Sequence, residues 1–174
     1  LGEFYSEFGS YDVNISVPEN YIVMATGNMN NPKEQLWIDS LAHLPIDSFT
    51  NTAKKSSKVY KTLNFTEDNI HDFAWFADKN WIVRKSEFVV PENGQTVTAY
   101  ACYFKNNKKG WAESIDYIQN AILGYSKYIG AYPYKTVKAV SGALEAGGGM
   151  EYPTITVIDP INDAELVEQV IVHE

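Results

Sequence analysis

The chain has one cysteine, Cys102, so no disulfide can form within it and the redox compartment stays open. It has no apolar run long enough to span a membrane. It has no basic cluster large enough to grip nucleic acid. Lys54-Lys55-Ser56-Ser57-Lys58 and the Lys105–Lys109 stretch are short, and solvated loops account for them. It lacks an initiator Met and a signal peptide, and both ends read as cut rather than natural. No internal repeat or low-complexity tract is evident. The acidic, disulfide-free composition fits an exported or periplasmic bacterial protein and a cytoplasmic one alike.

What is present is a core. Of 174 residues, 45% are hydrophobic and 14% aromatic, which argues for a packed fold and against disorder. The formal net charge is −8 and the pI about 4.9. The length suits one domain or parts of two.

The first half reads mostly as strand. Tyr11, Val13, Ile15 and Val17 alternate with polar residues. Pro18-Glu19-Asn20 turns the chain into an apolar strand over Tyr21–Ala25, and the two are expected to pair as an antiparallel hairpin. Pro32 opens a short helix with Leu36, Trp37, Ser40, Leu41 and Leu44 on one side, ended before Pro45. An irregular connection follows, then a strand over Val59–Phe65. Ile70–Ala77 fits a buried helix turn or a strand. Trp81–Val90 and Thr96–Phe104 form the most secure hairpin, with Pro91-Glu92-Asn93-Gly94 as its turn and Asn-Gly supplying positive φ.

Helices then enter. After a connection over Asn106–Gly110, the residues Ile115, Ile118, Ile122, Tyr125 and Ile129 form one apolar stripe. Gly130 caps that helix and Pro133 prevents its continuation. Val137–Val140 is a short strand leading to a glycine loop. The change of pattern places a domain boundary near Arg84, within Lys79–Glu87, dividing residues 1–84 from 85–174.

The chemistry gathers in the last 28 residues, Gly147–Glu174. Three glycines let a backbone approach a ligand closely, and the carboxylate of Glu151 follows them. Thr154–Ile158 is β-branched throughout and reads as a strand, stopped by Asp159-Pro160. Asn162 is the expected N-cap of a final helix, with Glu165 completing a capping box. Leu166, Val167, Val170 and Ile171 are its expected buried face. His173-Glu174 opens the pattern His-Glu-x-x-His, which puts two imidazoles on one helical face with a general base between them.

These residues resemble a known family. Gly148-Gly149-Met150-Glu151-Tyr152 resembles the Gly-x-Met-Glu-Asn exopeptidase motif of the M1 zinc aminopeptidases, gluzincins related to leukotriene A4 hydrolase and aminopeptidase N. The spacing to His173-Glu174 fits. The resemblance extends to Tyr132-Pro133-Tyr134, His71-Asp72-Phe73-Ala74-Trp75 and Ala25-Thr26-Gly27, and so covers most of the chain. One departure is Tyr152, where most members have Asn.

The resemblance implies a mixed α and β fold. The end of an N-terminal antiparallel β-sandwich domain would be followed by the opening β/α part of a thermolysin-like catalytic domain. It implies His173 as a ligand of one Zn2+ and Glu174 as the general base. It implies Gly148, Gly149, Met150, Glu151 and Tyr152 as the substrate-binding segment, with Glu151 on the α-amino group of a peptide with a free N-terminus. It favours a strand over Ile70–Ala77. The chain holds one of three zinc ligands, so on its own it is expected to bind no catalytic zinc, to be inactive and to self-associate through uncovered apolar helix surface. His43, His71, Tyr134 and Trp111 read as structural. A different class also fits: a non-catalytic relative used for binding or structure, in which case the parent would lack the later ligands.

Overall fold

A computed structural model describes residues 6–145 and 147–174. Three layers of strands stack on one another, and two helices cover the last.

The outermost layer is a three-stranded sheet. Strand β1 (Gly9–Pro18) pairs antiparallel with β4 (Tyr60–Ile70), from Val13 opposite Phe65 to Pro18 opposite Tyr60. The short β3 (Asn28–Met29) pairs with the other edge of β4. Alternation does the sorting: Ile15, Val17, Leu63 and Phe65 turn inward to one apolar cluster.

The middle layer holds β2 (Ile22–Ala25) and β5 (Trp75–Asp78), paired antiparallel. Here the sequence expectation of a hairpin between Tyr11–Val17 and Tyr21–Ala25 is corrected. The turn at Pro18–Asn20 carries the chain from one sheet to another. The reason lies in the composition of β2. All four residues are buried, Val23 and Ala25 against the outer sheet and Ile22 and Met24 against the next layer. A strand apolar on both faces is an inner strand and does not suit the edge of a half-wet hairpin.

Between them, α1 (Pro32–Ala42) begins at Pro32 as expected, but its roll differs. The inward face is Glu34, Ile38, Trp37 and Leu41, while Leu36 and Leu44 are exposed at 70% and 41%. Lys61 sets that roll: its ammonium meets Glu34 Oε1 at 2.5 Å and stands 4.1 Å from the Trp37 ring centre.

The third layer is a five-stranded sheet in the order β6-β7-β8-β10-β9. Strand β6 (Ile82–Val90) pairs antiparallel with β7 (Gln95–Tyr103), the expected hairpin. Position 84 lies inside β6. In the turn only Gly94 takes positive φ (+71°); Asn93 does not, and its side chain instead accepts the Gln95 N–H at 3.0 Å. The stretch expected to be a connection holds a short helix, α2 (Lys108–Trp111). Helix α3 (Ser114–Tyr128) follows. Its stripe is buried at Ile118 and half-buried at Ile115 and Ile122, but Tyr125 and Ile129 emerge, at 46% and 81% exposure. Strand β8 (Thr136–Ser141) then runs parallel to β7, and β10 (Ile155–Ile158) parallel to β8.

One face of this sheet packs on α3 and on α4 (Ala164–His173), with Ala99, Ala139, Ile118, Val167 and Ile171 in one cluster. The opposite face packs Val83, Cys102, Val140 and Val157 against Ile22, Met24 and Ile38. Cys102 has no solvent exposure, and that burial pushes its thiol up. Trp111 stacks on Tyr103 at 5.7 Å, a packing role. No helix among the described residues is long and apolar enough to cross a membrane.

Candidate functional site

The site is built on β9 (Gly149–Tyr152), the last strand of the five-stranded sheet. It pairs antiparallel with β10, Glu151 opposite Thr156 and Met150 opposite Val157, and its outer edge has no strand partner among the described residues. Gly149, expected in a loop, thus opens a strand. Period two then divides the motif. Met150 and Tyr152 pack with the layer beneath the sheet, the Tyr152 ring 6.1 Å from Phe76. Gly149 and Glu151 turn to the face where α4 ends.

Helix α4 is aimed there by its cap. Asp163, rather than the expected Asn162, is the N-cap: its carboxylate accepts the Leu166 N–H at 3.0 Å. Asn162 is engaged elsewhere, accepting the Gly110 N–H at 3.4 Å. Val167 and Ile171 are buried and fix the roll, while Leu166, expected inside, is 45% exposed. The helix delivers Glu174 onto Gly149. A Cβ on Gly149 would stand 2.7 Å from Glu174 Cγ and 2.8 Å from its Cδ, so a side chain there would displace this carboxylate.

Glu151 stands near enough to Glu174 for its charge to act on that carboxyl. Burial first, and then Glu151, raise the Glu174 carboxyl above the ordinary range, while the nearby His173 works the other way. His173 is exposed on the last turn of α4. The structure therefore brings Gly149, Glu151 and Glu174 together, sets Met150 and Tyr152 behind the strand, and leaves His173 open at the helix end. Gly148 stands exposed just before β9 and is anchored through its carbonyl, which accepts the Asp159 N–H at 2.9 Å. A cavity of about 150 Å³ lies beside the acid pair, between α3, α4 and the sheet, with Tyr152 and Glu174 in its wall.

Sequence reasoning missed the parts that hold β9 in place. Thr154 is not in a strand. It takes φ +63°, a left-handed conformation that β-branched residues avoid, in the turn from β9 to β10. Its hydroxyl accepts the buried Gly27 N–H at 2.8 Å. The Gly27 carbonyl in turn accepts from Lys138 Nζ at 2.7 Å and from Thr136 Oγ1 at 3.1 Å. Gly27 itself has φ +79°, and a Cβ there would lie 2.5 Å from the Thr66 carbonyl oxygen. The only sequence signal was the Ala25-Thr26-Gly27 segment. Asp159, read as a strand stop, also fixes the glycine loop by accepting the Leu144 N–H at 2.7 Å.

Among the described residues no three His, Cys, Asp or Glu side chains gather at metal-binding distance. His173 offers one imidazole, adjacent to the acid pair, so the donor chemistry fits one corner of a zinc site. His43 and His71 belong elsewhere: His43 Nδ1 lies 2.7 Å from the Asp39 carbonyl oxygen, and His71 packs edge-on to Phe8 at 5.5 Å.

No family model and no curated protein matches this sequence. Solved structures do match its fold. A two-domain M1 zinc metallopeptidase mutant bound to L-arginine has a TM-score of 0.59 and 16% identity over 97% of this chain. An M1 zinc metallopeptidase mutant from Deinococcus radiodurans has a TM-score of 0.60 and 15% identity over 97%. Legionella pneumophila aminopeptidase A in complex with aspartic acid has a TM-score of 0.68 and 10% identity over 98%. The chain spans 34%, 34% and 19% of those proteins, respectively. At such identities the likeness is one of fold, a mixed α and β architecture with antiparallel sheets.

Proposed function

We propose that this chain is part of a zinc-dependent aminopeptidase of the M1 kind, which removes N-terminal residues from peptides. The observation that carries the reading is the placement of Glu174 against Gly149, with Glu151 beside it, at an open strand edge. In this reading residues 1–84 end a β-sandwich domain and residues 85–174 open a thermolysin-like catalytic domain.

Each residue has a task. The open edge of β9 accepts a peptide as an added strand, and Gly148 and Gly149 keep that edge clear of side chains. Glu151 pairs with the α-ammonium group and rejects a blocked N-terminus. Glu174 takes the proton of the attacking water. Its raised carboxyl makes it a stronger base than an ordinary glutamate, as general-base catalysis near neutral pH requires. His173 would hold a Zn2+ ion together with ligands from the rest of the parent protein. Zinc, when bound, supplies charge stabilisation for the scissile carbonyl and a more acidic water. Met150 and Tyr152 support the strand from behind. The 174 residues alone carry one ligand of that set, so we expect them to show no turnover. Exposed Tyr128, Ile129 and Leu166 would promote their self-association.

The test is a pair of substitutions in the parent enzyme. Glu151→Ala should keep its zinc and lose about 2–4 kcal/mol of transition-state binding on an aminoacyl amide. Glu174→Gln should also keep its zinc and lose nearly all turnover. An unchanged kcat/KM in Glu151→Ala, or zinc lost together with activity in Glu174→Gln, would sink these assignments.

A further inference from the structure

A second concavity, of about 430 Å³, lies on the opposite face of the five-stranded sheet from Glu151 and Glu174. Its floor is the face of β6, β7 and β8, and its far wall is α1 with Met24 and Phe65. A covered sheet face is normally apolar. This one carries Lys85, Thr98, Tyr100, Thr136 and Lys138 in two rows across the strands. The hydroxyls of Thr98 and Tyr100 have no hydrogen-bond partner among the described residues.

The charges are separated. At the β6 end Asp39 and Glu87 share a single cation, Lys85 Nζ, at 2.8 and 3.9 Å, which leaves a negative surplus. At the β8 end Lys138 is 4% exposed and forms no ion pair among the described residues. Two of its three donor positions go to the Gly27 carbonyl and the Thr136 hydroxyl, both neutral. Burial lowers its pKa to about 7, and the charge of Glu67, beyond ion-pair distance, offsets this only in part. Lys85 pairs with Tyr100, and Tyr100 with Lys138, so the two ends are about two strand spacings apart, roughly 10 Å.

We propose that this cleft binds a small zwitterion of about dipeptide size. Its ammonium group sits against Asp39 and Glu87, and its carboxylate against Lys138 with the hydroxyls of Thr98 and Tyr100. A simple anion satisfies only the β8 end and a simple cation only the β6 end. A free amino acid carries its charges too close together, whereas an extended dipeptide separates them by about 7 Å. The inference does not depend on the peptidase reading.

The experiment is an amide NMR titration of this chain with three probes: glycylglycine, N-acetylglycine and glycinamide. Glycylglycine should shift the amides of Thr98, Tyr100 and Thr136 saturably. The two half-probes should bind at least about tenfold more weakly, one charged contact being lost in each. Lys138→Met should abolish binding, and exposed Glu87→Gln and Thr98→Val should weaken it severalfold. Glu151→Gln should leave it unchanged. Should Lys138→Met fail to fold because it also anchors Gly27, the Glu87→Gln and Thr98→Val pair decides. Absence of shifts at those amides, equal binding of N-acetylglycine, or binding unaffected by the cleft substitutions overturns the proposal. Shifts confined to β9 and lost in Glu151→Gln overturn it too, while leaving the peptidase reading intact.

Discussion

The two faces of strand β8 are both covered, yet they are made of different chemistry. Val137 and Ala139 meet α3 and α4 and are apolar. Thr136 and Lys138 meet the loop at Gly27 and are polar. The difference follows from the kind of cover. A helix satisfies its own backbone groups, so it asks the sheet only for apolar contact. The segment at Gly27 arrives with its N–H and C=O unused by any ladder, and a buried backbone group must find a partner. Thr154, Thr136 and Lys138 are those partners. A buried polar side chain can thus be dictated by the backbone opposite it.

The strongest way to break this contrast is Gly27→Ala. The added Cβ has no room beside Thr66, and φ is left-handed, so the substitution should cost about 3 kcal/mol in urea unfolding. A loss under about 1 kcal/mol would mean that the cover is loose. Next comes pH. Folded Lys138 releases its proton near 7, and the unfolded chain holds it to the ordinary 10.5. Between those values unfolding takes up a proton, so stability should rise with pH from 7 to 9. Above 9.0 the buried Cys102 thiol acts in the opposite sense, since it keeps a proton that the unfolded chain loses. The slope between pH 7 and 9 should vanish in Lys138→Met. The smallest effect is expected from Thr154→Val. It keeps the shape but strands the Gly27 N–H, and should cost about 1–2 kcal/mol, with faster hydrogen exchange at Gly27. Unaltered exchange there would remove Thr154 from the clasp.

These features also mark what could be read from the chain and what could not. The β6–β7 hairpin was legible because its partners are joined by four turn residues ending in Gly94. The pairing of β1 was not, because its partner β4 begins at Tyr60, and nothing local chooses between β2 and β4. Helix α1 was found from Pro32, but its roll was lost to the Lys61–Glu34 pair, which is invisible in periodicity. The candidate site was half legible. Glu151, Glu174 and the glycines stood out as a motif, whereas Thr154 looked like one more strand residue. Its left-handed φ lies in the two-residue turn between Tyr152 and Ile155, and its hydroxyl is bonded to Gly27, 127 positions away.

The lone cysteine also gives the chain a built-in clock. Cys102 sits near the C-terminal end of β7, between Val83 and Val140, in the interior of the five-stranded sheet. No thiol reagent can reach it until β7 parts from a neighbour, and burial holds it in the unreactive protonated form. Its alkylation rate in native buffer therefore times the opening of the sheet, with no label engineered in and no second thiol to confuse the trace.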